Sequence, residues 1–148
     1  MAGLADVLQQ YAVLGIDTSP FIYVVEDHPQ FGDASQLVLD RLTSGMSRGV
    51  TSVVTLMELT VKPLRDQQTE VAYMYAGLLD SLENLEIRAI RARDAWRAGS
   101  LRASNTLRPA DALQLATCIG AGAEVFVTND RRFRQINEID VLILADYT

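Results

Sequence analysis

Four carboxylic acids stand at or just after the ends of apolar stretches, where catalytic side chains commonly lie. Asp17 follows "VLGI", Asp130 follows "VFVT", and Glu58 comes one helical turn after "TSVVT". Asp111 lies just after Pro109, in the first turn of a helical stretch that leads into "VFVT". Carboxylates that share a small space repel one another and take up protons unless a cation neutralises them. If these acids converge, the expected cation is Mg²⁺ or Mn²⁺, which prefers carboxylate oxygens and keeps several waters.

Each of these acids also has an ordinary structural explanation. Asp17 could cap the helix that is predicted to follow it, and Thr55 with Glu58 has the spacing of a capping box. Asp111 lies in a first helical turn, where acids are favoured. Asp130, in "TNDR", suits a turn. None of these explanations requires the acids to lie at the same edge of one sheet, so their joint occurrence favours a site.

Alternating strand and helix patterns position the acids. Short apolar or β-branched stretches predict strands at 12–16, 49–55, 86–90, 124–128 and 140–145. Amphipathic spacing predicts helices at 4–11, 20–28, 34–45, 56–63, 67–85, 91–104 and 108–123. Ser19 is expected to cap the second helix, with Pro20 at its first position. The alternation predicts an α/β fold, a three-layer α/β/α sandwich around a mainly parallel sheet, in which ligands gather at the carboxyl ends of the strands.

Length and composition indicate one domain over residues 1–148, with a short helical extension at about 1–12. Hydrophobic residues make up 49% of the 148, so the chain can bury roughly two-thirds of its unfolded surface. A single cysteine, Cys118, excludes an internal disulfide and a cysteine metal cluster. No stretch reaches the ~18 apolar residues of a membrane span, and the N-terminus lacks the pattern of a secretion signal. We therefore expect a soluble cytoplasmic protein.

Arginines are concentrated in the second half of the chain. The net charge is −6, which disfavours a simple basic nucleic-acid-binding protein. Residues 88–148 nevertheless carry nine arginines against seven acids, whereas residues 1–87 carry four basic and twelve acidic residues. Arginine suits phosphate well, although a solvated helix face is the better explanation for any single arginine in residues 88–108. For Arg131 and Arg132, a solvated turn or pairing with Glu138 and Asp140 is an equally good explanation. Trp96, which lies within residues 88–108, is expected to pack, with base stacking as the alternative. The candidate phosphate-binding residues are Arg97, Arg102, Arg131 and Arg132.

Other catalytic chemistries have little support in the sequence. His28 is the only histidine, and it precedes Pro29 in a polar stretch with no partner nearby. We expect a loop residue there, which leaves a histidine-driven ribonuclease or a serine triad without its base. A phosphotransferase with a nucleophilic aspartate would need a second aspartate two residues after Asp17, where Ser19 stands.

Several segments, taken in order, resemble the PIN domain, in particular the VapC-type toxin ribonucleases and their close relatives. They are "LGIDTSPFIY", "TSVVTLMEL", "LRPADALQLATCIGAGAEVFVTNDRRF" and "VLILADY", and the resemblance runs from about Leu14 to the end of the chain. The most specific segment is "PADALQLATCIGAGAEVFVTNDRRF". In it an acid, a helix of small residues, a strand and a Thr-Asn-Asp turn follow one another in the family order.

This resemblance implies a metal-dependent ribonuclease that cuts RNA by hydrolysis. The family acids, which together hold Mg²⁺ or Mn²⁺, match Asp17, Glu58, Asp111 and Asp130. Polar positions that support the metal or the phosphate match Ser19, Thr128 and Asn129. The resemblance also implies a homodimer, an RNA substrate and, for a toxin, an antitoxin protein as partner. The arginines named above lie on segments that flank the acids, so they could hold the RNA backbone beside an otherwise repulsive site. The alternative is a PIN-fold RNA-binding or regulatory module that does not cut.

Overall fold

A sheet of five parallel strands lies at the centre of the computed structural model, which describes residues 2–148. The strands are β1 (Val13–Ile16), β2 (Arg48–Ser52), β3 (Leu85–Arg88), β4 (Val125–Thr128) and β5 (Asp140–Ile143). The helices are α1 (Leu4–Leu8), α2 (Thr18–Val25), α3 (Gly32–Thr43), α4 (Val53–Arg65), α5 (Thr69–Ser81), α6 (Ala92–Ser104) and α7 (Pro109–Gly120). Two 3₁₀ segments, Arg131–Gln135 and Leu144–Tyr147, follow β4 and β5. The predicted α/β/α sandwich is confirmed, and every strand pair in it is parallel.

The order of the strands places a crevice between β1 and β4. Across the sheet the order is β3-β2-β1-β4-β5. The chain leaves β1 towards β2 through α2 and α3, whereas it reaches β4 from β3 through α6 and α7. The two connections cover opposite faces of the sheet, so they diverge where β1 and β4 lie side by side. Open parallel sheets bind ligands at such a point, outside the carboxyl ends of the strands.

Side chains on opposite faces of the sheet belong to two separate hydrophobic cores. Leu14 and Ile16 of β1 pack with the helices α1 to α5 on one face of the sheet. Phe126 of β4 packs with α6 and α7 on the other face. Gly15 lies under α7, and a Cβ at that position would stand only 3.0 Å from the Cβ of Cys118. This close approach fixes α7, and with it the helix start that carries Asp111, against the sheet.

Three helices, α2, α3 and α4, begin two or three residues earlier than the sequence predicts. The residues 53–55, predicted as the end of a strand, form the first turn of α4, because the Ser52 hydroxyl accepts a hydrogen bond from the amide of Val54 at 3.1 Å. The capping box considered as an ordinary explanation of Glu58 is therefore wrong, because the N-cap is Ser52. Asp17, not Ser19, caps α2.

Helix α5 is shorter than predicted and ends at Ser81, which leaves a turn before β3. Asn84 in this turn has a positive φ of 59°. Within residues 2–148, no helix has both the length and the apolar character needed to cross a membrane.

Candidate active site

The carboxyl ends of β1 and β4 open into a cleft of about 520 Å³. Ile16 lies opposite Val127 in the β1–β4 pair, so the residues that follow these two strands emerge next to each other. The wall of the cleft includes the four acids singled out from the sequence, each from a different segment of the chain. They are Asp17 before α2, Glu58 in α4, Asp111 in the first turn of α7 and Asp130 after β4.

Asp17 is held by two donors and has no salt-bridge partner among residues 2–148. Its Oδ1 accepts a hydrogen bond from the amide of Thr18 at 2.8 Å, and its Oδ2 accepts one from the Thr128 hydroxyl at 2.7 Å. Burial raises the pKa of Asp17 to about 6, and the charges of Glu58 and Asp111 add to the rise, while the two hydrogen bonds limit it. A cation bound here would supply the positive charge that stabilises the ionised form of Asp17.

Glu58 is positioned by Thr18, a residue that the sequence analysis did not single out. The Thr18 hydroxyl donates to Glu58 Oε1 at 2.7 Å and lies 3.2 Å from the hydroxyl of Thr55. Thr55 in turn lies 2.7 Å from the Thr51 hydroxyl and accepts from Gln114 Nε2 at 2.6 Å. These hydroxyl and amide groups are buried, so they tie α2, α4 and α7 together beneath Glu58. Neighbouring residues give no sign of this contact, because Thr18 and Glu58 are 40 positions apart.

Asp111 and Asp130 are paired with arginines instead of hydroxyls. Arg108 Nε donates to Asp111 Oδ2 at 3.1 Å, and Arg132 Nη2 lies 3.6 Å from the same oxygen. Arg132 Nε donates to both carboxylate oxygens of Asp130 at 3.0 Å, and Nη2 makes a further bond to Asp130. The hydrogen bond from Arg132 lowers the pKa of Asp130. The pairing of Arg132 with the acids that follow it, the alternative considered from the sequence, is wrong.

The oxygen atoms in the cleft are suitable ligands for a divalent metal, although they do not form a preformed coordination site in this structure. In the described chain, residues 2–148, no three acidic, histidine or cysteine side chains are grouped closely enough to hold a metal ion. Asp111 and Asp130 form ion pairs with arginines, whereas Asp17 and Glu58 accept hydrogen bonds from threonines. Carboxylate oxygens are nevertheless the ligands that Mg²⁺ and Mn²⁺ prefer. Ser19 adds a buried hydroxyl that has no hydrogen-bond partner in this part of the structure and belongs to the cleft wall.

Asn129, the third polar candidate, supports the wall of the cleft through two hydrogen bonds. Its Nδ2 donates to the hydroxyl of Tyr23 at 3.1 Å, and its Oδ1 accepts from the amide of Ala145 at 2.9 Å. It thereby joins α2 to the 3₁₀ segment that follows β5. Tyr23 also lines the cleft, and sequence reasoning did not find it, because nothing near it in the chain indicates its partner.

The structure divides the four candidate arginines into two pairs. Arg131 and Arg132 lie at the cleft, and both are exposed. Arg97 and Arg102 lie on α6, away from the cleft wall. The Nη1 of Arg97 is buried near Gly120, and Arg102 Nε donates to the carbonyl of Leu107 at 3.1 Å.

Trp96, on the same helix, does not pack as expected. Its side chain is 85% exposed, so the packing explanation is wrong. His28 is a loop residue, and its Nδ1 accepts hydrogen bonds from the amides of Gln30 and Phe31, each at 3.1 Å.

Residues 15–139 match the sequence pattern of the PIN domain. The chain belongs to the PIN domain family. The matched segment contains all of the acids in the cleft. No curated protein sequence matches this chain significantly.

Solved structures show the same PIN fold at low sequence identity. VapBC2 from Rickettsia felis, bound to a DNA fragment from its promoter, aligns with a TM-score of 0.71 and 21% identity, over 88% of this chain and 98% of that one. DNA-bound VapBC from Salmonella typhimurium aligns with a TM-score of 0.67 and 23% identity, over 89% and 97%. A toxin–antitoxin complex from Klebsiella pneumoniae aligns with a TM-score of 0.65 and 22% identity, over 89% and 97%.

Proposed function

We propose that this PIN domain is a metal-dependent endoribonuclease that hydrolyses RNA phosphodiester bonds with Mg²⁺ or Mn²⁺. The observation that carries the proposal is the convergence of Asp17, Glu58, Asp111 and Asp130 on one cleft. Burial and neighbouring charges raise the pKa of Asp17, as expected for a carboxylate placed to receive a cation. We propose that residues 1–148 form a single nuclease domain.

The side chains in the cleft would have different roles in catalysis, either as metal ligands or as groups that orient those ligands. Asp17 and Asp111 would bind the metal directly, with Glu58 and Asp130 as further direct or water-mediated ligands. The metal would activate a water for attack on phosphorus and stabilise the charge on the phosphodiester. Thr128 orients Asp17 through its 2.7 Å hydrogen bond. Attack would break the bond from phosphorus to the 3′ oxygen, which would take a proton from solvent and leave a 5′-phosphate on the downstream fragment. The proton of the attacking water would pass to solvent or to a cleft carboxylate, since the Nδ1 of His28 is held by amides of its own loop.

Positive charge at the cleft would hold the RNA backbone. Arg131 is exposed on the cleft wall, and a guanidinium there can contact a phosphate that the acids would otherwise repel. Arg97 and Arg102, on α6, would contact RNA that extends beyond the cleft. Ser19, whose buried hydroxyl has no hydrogen-bond partner among residues 2–148, would donate to a phosphate or to a metal-bound water.

Cleavage of a structured RNA pool tests this function. The wild type is compared in Mg²⁺, Mn²⁺ and EDTA with Asp17→Asn, Asp111→Asn and the control Asp80→Asn, an exposed acid on α5. We expect metal-dependent cutting by the wild type and the control, and no cutting by the other two variants, each checked for folding. Metal binding without cutting, across several RNA pools, would favour the non-cutting RNA-binding or regulatory module.

We further propose that the protein is the toxin of a type II toxin–antitoxin pair, acting in the cytoplasm as a homodimer. Support comes from the similarity to solved toxin–antitoxin complexes and from an apolar surface on α4 and α5. Such exposed apolar patches are typical of protein interfaces. The exposed residues of this surface are Val53, Leu56, Met57, Val61, Leu64, Tyr73, Met74 and Leu78.

Expression in bacteria and sedimentation test these two assignments separately. Growth arrest on expression, relieved by the product of a neighbouring gene, supports the toxin assignment; harmless expression of an active nuclease contradicts it. Sedimentation at several concentrations should show a dimer for the wild type and a monomer for Met57→Asp, which places a charge on a side chain that is 54% exposed. A wild type that stays monomeric removes the homodimer.

A further inference from the structure

Arg132 places a fixed positive charge between two of the acids. Its guanidinium makes hydrogen bonds from Nε and Nη2 to Asp130, and Nη2 also lies 3.6 Å from Asp111 Oδ2. The two carboxylates are largely shielded, with side chains 12% exposed for Asp111 and 28% exposed for Asp130, whereas the Arg132 side chain is 46% exposed. The Arg132 side chain is thus more exposed than the two carboxylates that it contacts.

Among residues 2–148, no lysine or arginine nitrogen lies within 4.0 Å of the Asp17 or Glu58 carboxylate. Asp17 and Glu58 are held by hydroxyl and amide donors from Thr18 and Thr128. Arg131, next to Arg132 in the chain, has no carboxylate within 4.0 Å among residues 2–148. Arg132 is therefore the cation paired with Asp130 and shares Asp111 with Arg108, whose Nε donates to the same oxygen at 3.1 Å.

We propose that Arg132 is an internal counter-cation that occupies Asp111 and Asp130 until a divalent metal displaces it. Once displaced, its guanidinium is free to bind an RNA phosphate at the mouth of the cleft. The inference rests on the proposed function, because it requires the acids to be metal ligands. It goes further in assigning one arginine to two successive partners, first the acids and then the RNA.

The physical basis is a competition for Asp111 and Asp130 between the single positive charge of the guanidinium and the two positive charges of the metal ion. A divalent cation attracts the acids more strongly than a guanidinium at similar distances. Arginine has a long side chain that is already half in solvent, so its departure disturbs no packed core. The threonine-held acids, Asp17 and Glu58, need no such exchange. Metal binding and RNA binding are thereby ordered, because Arg132 can contact phosphate only after the metal has released it.

Metal titration in the absence of RNA tests the exchange without relying on activity. Isothermal titration with Mn²⁺ compares the wild type, Arg132→Ala, Arg132→Lys and a control, Arg134→Ala. Arg134 lies in the same 3₁₀ segment but pairs with Asp146 at 2.6 Å, outside the cleft wall. We expect Arg132→Ala to bind Mn²⁺ roughly tenfold tighter than the wild type, equivalent to about 1.4 kcal/mol. The lysine variant keeps the charge and stays near the wild type, and Arg134→Ala is unchanged.

Nuclear magnetic resonance gives an independent readout of the displaced arginine. In the metal-free protein the Nε–H proton of Arg132 is hydrogen-bonded to Asp130, so its signal should be shifted and slow to exchange with water. Addition of Mg²⁺ should move this signal towards that of a free arginine and speed its exchange, while the Arg134 signal stays constant.

The possible results separate the failure of this inference from the failure of the proposed function. If the wild type binds Mn²⁺ but Arg132→Ala binds no more tightly, or the Arg132 signal ignores Mg²⁺, the counter-cation role is wrong and the metal site stands. If neither the wild type nor any variant binds a divalent metal, the proposed function itself is wrong and this inference fails with it.

Discussion

Replacement of Asp17 by asparagine should stabilise the metal-free protein, although Asp17 is central to the proposed site. In the metal-free fold the pKa of Asp17 is raised from 3.8 to about 6, first by burial and then by neighbouring carboxylates. Below about pH 4 both the folded and the unfolded chain hold the proton. Between about pH 4 and 6 only the folded chain holds it. The favourable contribution of the protonated group is therefore lost as the pH rises through about 6.

The size of this effect follows from the shift itself. A rise of roughly 2 pKa units, at 1.36 kcal/mol per unit, makes the ionised Asp17 cost about 3 kcal/mol above pH 6. Asparagine keeps the shape without the charge, and its Oδ1 can still accept from the amide of Thr18. Its amide can donate to the Thr128 hydroxyl, which is able to accept. We expect Asp17→Asn to raise the free energy of unfolding by up to about 3 kcal/mol at pH 7.5 and by less than about 1 kcal/mol at pH 4.

Urea denaturation in EDTA at these two pH values measures the difference, with Asp80→Asn on the exposed face of α5 as the control. The reasoning would be refuted if Asp17→Asn lowered stability at pH 7.5, or changed it equally at both pH values. Repetition with saturating Mg²⁺ adds a second check. The wild type should gain stability from the metal, as any ligand of the folded state provides, and the variant should gain little.

Three further predictions concern the supports of the cleft. Thr18→Val removes the hydroxyl that donates to Glu58 at 2.7 Å, and calorimetric titration should show Mn²⁺ affinity lower by ~10–100-fold, with Thr18→Ser restoring it. Gly15→Ala should lower the free energy of unfolding by about 1–3 kcal/mol, because its Cβ would lie 3.0 Å from that of Cys118. Gly99→Ala, where nothing lies within 4 Å, is the control for that urea measurement, and equal losses would contradict the packing argument. Burial also raises the pKa of the Cys118 thiol, so a thiol reagent at pH 8 should modify it only in urea; rapid labelling of the native protein would show that α7 opens.

The sequence by itself determined the element types and the placing of the acids at strand ends. Apolar and β-branched runs such as "VFVT" identify buried strands because side-chain burial has a period that is visible along the chain. Asp17 and Asp130 were found for the same reason, since they directly follow such runs. Helix starts were less accurate. Near Ser52 and Ser19 several polar residues compete as caps, and local sequence does not decide which one bonds to the backbone.

Only the tertiary structure decided which residues touch. The strand order places β4 next to β1, and so brings Thr128 to Asp17 across 111 positions of the chain. The hydrogen bond from Thr18 to Glu58 and the pairing of Arg132 with Asp111 depend on the same arrangement. Residue type shows what a side chain is able to bind, whereas its partner is set by distance in the folded chain. The acids, Thr128 and Arg132 could therefore be named from sequence, whereas their contacts with one another, and the part of Thr18, could not.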